Sequence, residues 1–161
     1  RQARTGGAAI VIFSMSEHVV RHVMHVPWVA TASDGRAYLP GPDRPHPRSY
    51  GTFARKLGHY ALREKVLSLE AAIRSMTALP ASILNLGDRG TIAAGQFADI
   101  AVFDPQAIRD AATFEDPHQY SEGFRYVFAN GQPAVYQGKS TGALAGRALV
   151  HARRESGKKS R

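Results

Sequence analysis

Trp28-Val29-Ala30-Thr31-Ala32-Ser33-Asp34-Gly35 is the stretch whose reading decides the fold. After Pro27, residues 28–32 read as a short buried strand that Gly35 brings to an end, so Asp34 falls at the strand's C-terminal tip. A Pro- and Gly-rich loop then leads to His46-Pro47-Arg48-Ser49-Tyr50-Gly51-Thr52-Phe53. A carboxylate at a strand's C-terminal end, followed by such a loop with an arginine in it, is where α/β proteins place chemistry. The plainer role for Asp34 is an Asx-turn ahead of Gly35.

Working upstream, residues 8–13 (Ala-Ala-Ile-Val-Ile-Phe) form a continuous apolar run, the mark of a strand covered on both faces. Ser14 and Glu17 fit a capping box, and the helix that follows runs to about His25 before Pro27. Val19, Val20, Val23 and Met24 share one side of it, while His18, His22 and His25 fall on the other. Three histidines in a row are candidate metal ligands. This row faces away from the apolar stripe and no carboxylate repeats with it, so solvation is its reading. Strand, helix and strand together predict a βαβ unit with a right-handed crossover and a parallel sheet.

Downstream, residues 50–61 are helical in pattern, with Phe53, Leu57 and Tyr60 facing inward. Ser68 caps a further helix that buries Leu69, Ala72, Ile73 and Met76, and Pro80 opens a short one closed by Gly87. From about Asp88 the character changes. Residues 97–103 read as a strand, and residues 126–136 as a hairpin with Asn130-Gly131 in a type I′ turn and Pro133 at an edge position. Thr113, Glu115, Asp116 and His118 fall on the connecting loop, where solvation explains them.

Composition narrows the function classes. A chain of 161 residues with 43% hydrophobic content supplies one domain, or a piece of one. The net charge of +8 is concentrated at the end: removing six basic residues and one acid from Arg147 onward leaves 15 basic and 12 acidic residues. Residues 151–161 are therefore expected to be a disordered basic tail, and no nucleic-acid partner is expected. With no cysteine there is neither a disulfide framework nor a thiolate metal site. No apolar run approaches the roughly 20 residues of a membrane span, and none follows Arg1-Gln2-Ala3-Arg4 as in a secretory leader. A cytoplasmic chain without a membrane partner is the expectation.

Several blocks resemble the C-terminal part of the N-acyl-D-amino-acid deacylases (D-aminoacylases) of the amidohydrolase superfamily. They are Ala32-Ser33-Asp34-Gly35, His46-Pro47-Arg48-Ser49-Tyr50-Gly51-Thr52-Phe53, Gly95-Gln96-Phe97-Ala98-Asp99-Ile100 and Thr113-Phe114-Glu115-Asp116-Pro117-His118. The resemblance runs over residues 8–150. It implies an α/β fold: the C-terminal part of a (β/α)8 metal-dependent hydrolase barrel, followed by part of a small β-sandwich. Residues 1–87 would be the last βα units and residues 88–150 the sandwich portion. One departure is the loop at 36–43, longer than in the best-known deacylases, which bears on where Arg48 sits.

The resemblance also implies a chemistry. Zinc would be the cofactor, with its main ligands upstream of this chain. Asp34 matches the family's acid/base and a weak contact to a second metal: a carboxylate there takes the proton of the attacking water and passes it to the leaving nitrogen. Arg48 matches the arginine that binds the substrate carboxylate through its planar fork, or else forms a surface ion pair. His46, between two prolines, stiffens the loop rather than binding metal. The implied substrate is a small N-acyl-D-amino acid, and the implied partner is the missing N-terminal barrel portion. Two readings compete: a dihydroorotase- or hydantoinase-like cyclic amidase, and a non-catalytic remnant serving as an interaction module.

Overall fold

The computed structural model describes residues 10–149. Residues 8 and 9 and the basic tail at 151–161 lie outside the described residues. Helix α1 (Glu17–Met24) begins where Ser16, not Ser14, caps it: the Ser16 hydroxyl accepts from the Val19 N–H at 3.3 Å. Val20 and Met24 pack towards the core, Val19 and Val23 stay half-exposed, and His18, His22 and His25 face solvent.

The helix expected over 50–61 is longer and changes pitch. Helix α2 (Arg48–Arg55) passes directly into a π-helical stretch (Lys56–Arg63). Widening the helix lets Gly58 slide against the chain at Ile108, where a Cβ would stand 2.2 Å from the Ile108 carbonyl oxygen. Ile108 is fully buried there, among Ala54, Leu57, Tyr60, Ala61, Leu67 and Ala72. Tyr60 ties α1 to this helix. Its hydroxyl donates to Glu17 at 3.0 Å, the Arg21 and Arg55 guanidinium groups lie against its ring, and Arg21 also pairs with Glu64.

Helix α3 (Leu69–Met76) is capped by Ser68 as its sequence predicts, the hydroxyl accepting from the Ala71 N–H at 3.1 Å. Its buried positions are Ala72 and Ser75, and Ile73 lies on the open side. Helix α4 (Ala78–Ile83) carries Pro80 as its third residue instead of its first. That position is still within the first turn, where no N–H partner is lost.

The second section is one antiparallel sheet among the described residues: β1 (Ile100–Phe103), β2 (Phe124–Ala129), β3 (Gln132–Tyr136) and β4 (Lys139–Ser140), in that order. Asn130 and Gly131 have φ of 49° and 81°, the type I′ turn expected of Asn-Gly. Gln137 and Gly138 repeat it at 48° and 76°, making a second tight hairpin that the sequence reading passes over. β4 pairs only with Val135 and Tyr136, so Pro133 lies beyond its reach.

The parallel strands expected over 8–13 and 28–32 are not formed in the described residues. Residues 28–32 are extended, but the Thr31 N–H donates to the Ser75 carbonyl of α3 at 2.8 Å, and no neighbouring strand lies alongside. Trp28 is 74% exposed, so that segment is not a buried strand here. A parallel strand is stabilised by its ladder partners, and residues 10–13 and 28–32 have none among the described residues.

Candidate functional site

The extended segment 28–32 delivers Asp34 to the start of α2. Ser33 makes the local turn bond, its hydroxyl accepting from the Gly35 N–H at 3.1 Å, so the Asx-turn role passes to the neighbouring serine. Asp34 itself adopts φ 48°, a left-handed conformation that non-glycine residues rarely take. Gly35 lets the chain cross against Ser49, where an added Cβ would come within 2.8 Å of the Ser49 Cα.

Arg48, the first residue of α2, meets Asp34 through two bonds. Its Nε donates to the Asp34 carbonyl at 3.0 Å and its Nη2 lies 2.8 Å from Oδ2. The two residues singled out in the sequence are therefore in contact, and Arg48 does make an ion pair, with the carboxylate beside it. His46 supports Arg48 from behind: its Nδ1 accepts from the Arg48 N–H at 3.0 Å, and its ring stands edge-on to Phe114. Burial, and secondly the Arg48 charge, push the His46 pKa below the usual 6.5. With Nδ1 engaged in the loop, His46 acts as the stiffener expected of it.

A cleft of about 500 Å³ opens in front of this pair, lined among others by Ile12, Asp34, Arg36, Asp43, Arg44 and Arg48. Three arginines against two aspartates make its wall net positive, which suits an anionic small molecule. Asp34 extends into solvent beside it, 84% exposed, within reach of a bound molecule.

His118 and Tyr50 are the residues that sequence reasoning missed. His118 is only 14% exposed. One ring nitrogen lies 2.8 Å from the Tyr50 hydroxyl, and the other 2.9 Å from the Asp43 carbonyl. The Tyr50 hydroxyl also lies 3.2 Å from the Tyr38 carbonyl. The signal available was the Thr-Phe-Glu-Asp-Pro-His block itself, since a histidine fixed in a motif has more to explain than a solvated one. Among the described residues no group of three or more His, Cys, Asp or Glu side chains could hold a metal ion. None of their helices is long and apolar enough to cross a membrane.

Residues 17–135 match the amidohydrolase family, and the chain belongs to that family. Among curated proteins it is 42% identical over 143 residues to the D-aminoacylase of Alcaligenes xylosoxydans xylosoxydans, covering 89% of this chain and 29% of the relative. The N-acyl-D-glutamate deacylase of the same organism is 42% identical over 124 residues, covering 77% of this chain and 25% of the relative. Its N-acyl-D-aspartate deacylase is 39% identical over 141 residues, covering 88% and 28%. The fold matches the crystal structure of N-acyl-D-glutamate deacylase from Bordetella bronchiseptica complexed with zinc and a phosphonate mimic of the tetrahedral intermediate. The TM-score is 0.70 at 39% identity, covering 76% of this chain and 25% of that one. This chain thus spans between a quarter and three tenths of the length of the relatives it matches.

Proposed function

We propose that these residues are the C-terminal part of a zinc-dependent deacylase that hydrolyses N-acyl-D-amino acids to a D-amino acid and a carboxylate. The observation that carries the reading is the contact between Asp34 and Arg48 at a positively lined cleft, in a chain 39–42% identical to three proteins named for that chemistry. Residues 1–87 are read as the last βα units of a (β/α)8 barrel and residues 88–150 as part of its β-sandwich. The exposed apolar side chains of Ile10, Ile12, Phe13 and Trp28 support this, because neighbouring barrel strands would cover such a face.

Amide hydrolysis adds water to the carbonyl and must protonate a poor leaving nitrogen. Asp34 takes the proton from the water and returns it to the nitrogen, which requires a carboxylate open to the cleft, as this one is. Arg48 spends Nε and one Nη2 hydrogen on Asp34, leaving Nη1 and the other Nη2 hydrogen to receive the substrate's α-carboxylate. Zinc, when bound, activates the water and polarises the carbonyl. The described residues do not assemble a donor set for it, so its main ligands are assigned to the upstream part of the enzyme. The Arg48 ion pair engages Oδ2 of Asp34 and leaves Oδ1 open to the cleft, where it could make the weak second-metal contact.

The test is to incubate the intact gene product with matched N-acetyl-D- and N-acetyl-L-amino acids and follow release of the free amino acid. Release from the D series alone is the expected result. Turnover of dihydroorotate or a hydantoin instead would favour the cyclic amidase, whose substrates do not present the same carboxylate to Arg48. No turnover with zinc bound would favour the interaction module.

A further inference from the structure

We propose that His118 is a positioning residue that fastens the 36–45 loop over the start of α2 and so sets the wall of the Arg48 cleft. The kinetic half of the argument rests on the deacylase reading, while the structural half does not. The loop has no helix or strand of its own, and a segment of that kind stays ordered only through specific anchors.

Two of its anchors converge on one ring. The Asp43 carbonyl can only accept, so the His118 Nε2 lying 2.9 Å away carries a proton. The Asp43 carboxylate stands 3.4 Å from the same nitrogen. On the other side Nδ1, the acceptor of this tautomer, lies 2.8 Å from the Tyr50 hydroxyl, whose single proton is shared between Nδ1 and the Tyr38 carbonyl 3.2 Å away. His118 thereby joins the far end of the loop, at Asp43, to its near end, at Tyr38, through a tyrosine of α2. Arg44 adds a third tie, donating from Nη1 to the Glu115 carbonyl at 3.1 Å. Arg36, Asp43 and Arg44 are carried on this loop and line the cleft, so its position fixes theirs.

Three substitutions in the intact gene product separate hydrogen bonding from packing. His118→Gln can keep a donor near Nε2, His118→Asn keeps a polar group only near Nδ1, and His118→Phe keeps the ring with neither. The first readout is chymotryptic cleavage of the native protein after Tyr38, next to the exposed Leu39. The second is the split between KM and kcat for N-acetyl-D-amino acids. Wild type and the Gln variant are expected to resist cleavage. The Asn and Phe variants are expected to be cut about tenfold faster, the loss of one or two hydrogen bonds. Their KM should rise by a similar factor while kcat stays within about twofold.

Wild-type behaviour in His118→Phe would overturn the proposal, because ring packing would then suffice. So would unchanged cleavage in all three. Should these variants fail to fold, Tyr50→Phe keeps the ring and removes the shared hydroxyl; the proposal requires faster cleavage there, and unchanged cleavage contradicts it. Absence of deacylation by wild type would count against the proposed function alone, since the cleavage readout is independent of turnover.

Discussion

Asp34 sits at φ 48° beside a glycine that crosses the chain at close range, and Arg48 grips both its carbonyl and its carboxylate. A left-handed non-glycine residue costs roughly 1–2 kcal/mol, so the arginine supports a geometry that the backbone alone would not choose. Lysine offers a point charge in place of a fork and cannot span both oxygens. Arg48→Lys is therefore expected to raise KM for carboxylate-bearing substrates by about tenfold or more, measured by steady-state kinetics; unchanged KM would remove the assignment. His46 adds a pH dependence with a definite sign. Its folded pKa lies below the usual 6.5 because burial and Arg48 disfavour the charged ring. Its stabilisation of the loop is thus complete above about pH 6.5 and is lost as pH falls through the lowered folded value. Protonation also replaces the Nδ1 acceptor that holds the Arg48 N–H. KM should rise as pH falls through that lowered folded value, and His46→Asn, which keeps an acceptor at every pH, should flatten that limb. Identical profiles for the two proteins would contradict this.

Among the elements, the long helix over 48–63 depends on close approach. At Gly58 a Cβ would stand 2.2 Å from the Ile108 carbonyl, whereas at Gly87 nothing lies within 4 Å and φ is not positive. Gly58→Ala should cost about 1–3 kcal/mol of stability, while Gly87→Ala should be neutral or stabilise by up to about 1 kcal/mol. Thermal denaturation of both variants checks the contrast, and equal midpoints would contradict it. Caps give a second comparison. Ser16→Ala should lower stability by about 1 kcal/mol, and Ser14→Ala should not. The Ser14-Glu17 spacing suggested a capping box, but Glu17 accepts from the Tyr60 hydroxyl instead, and that partner is 43 residues away. Local pattern therefore located the helices and the Asn130-Gly131 turn. It erred where a distant side chain claimed a capping residue, and at Gln137-Gly138, whose turn lacks the familiar Asn-Gly spelling.

At the scale of the whole molecule, what the sequence made legible was local. The apolar run at 8–13 and the segment at 28–32 have strand composition, but a parallel ladder needs neighbours that composition cannot supply. Family resemblance assigned Asp34 and Arg48 to one site but did not give their contact, since the two lie 14 positions apart and no periodicity links them. The motif around His118 flagged the residue but not its contacts, because its partner Asp43 lies 75 residues away. In the proposed deacylation the Asp34 carboxylate moves the proton. The most direct measurement compares release of the free D-amino acid by the intact wild-type gene product and by Asp34→Asn, with zinc content determined on the same samples. Asparagine tolerates the left-handed backbone, so the fold should survive. The predicted result is a fall in kcat of about 10²–10⁴-fold at equal zinc content; wild-type kcat in the Asn variant would contradict the claim.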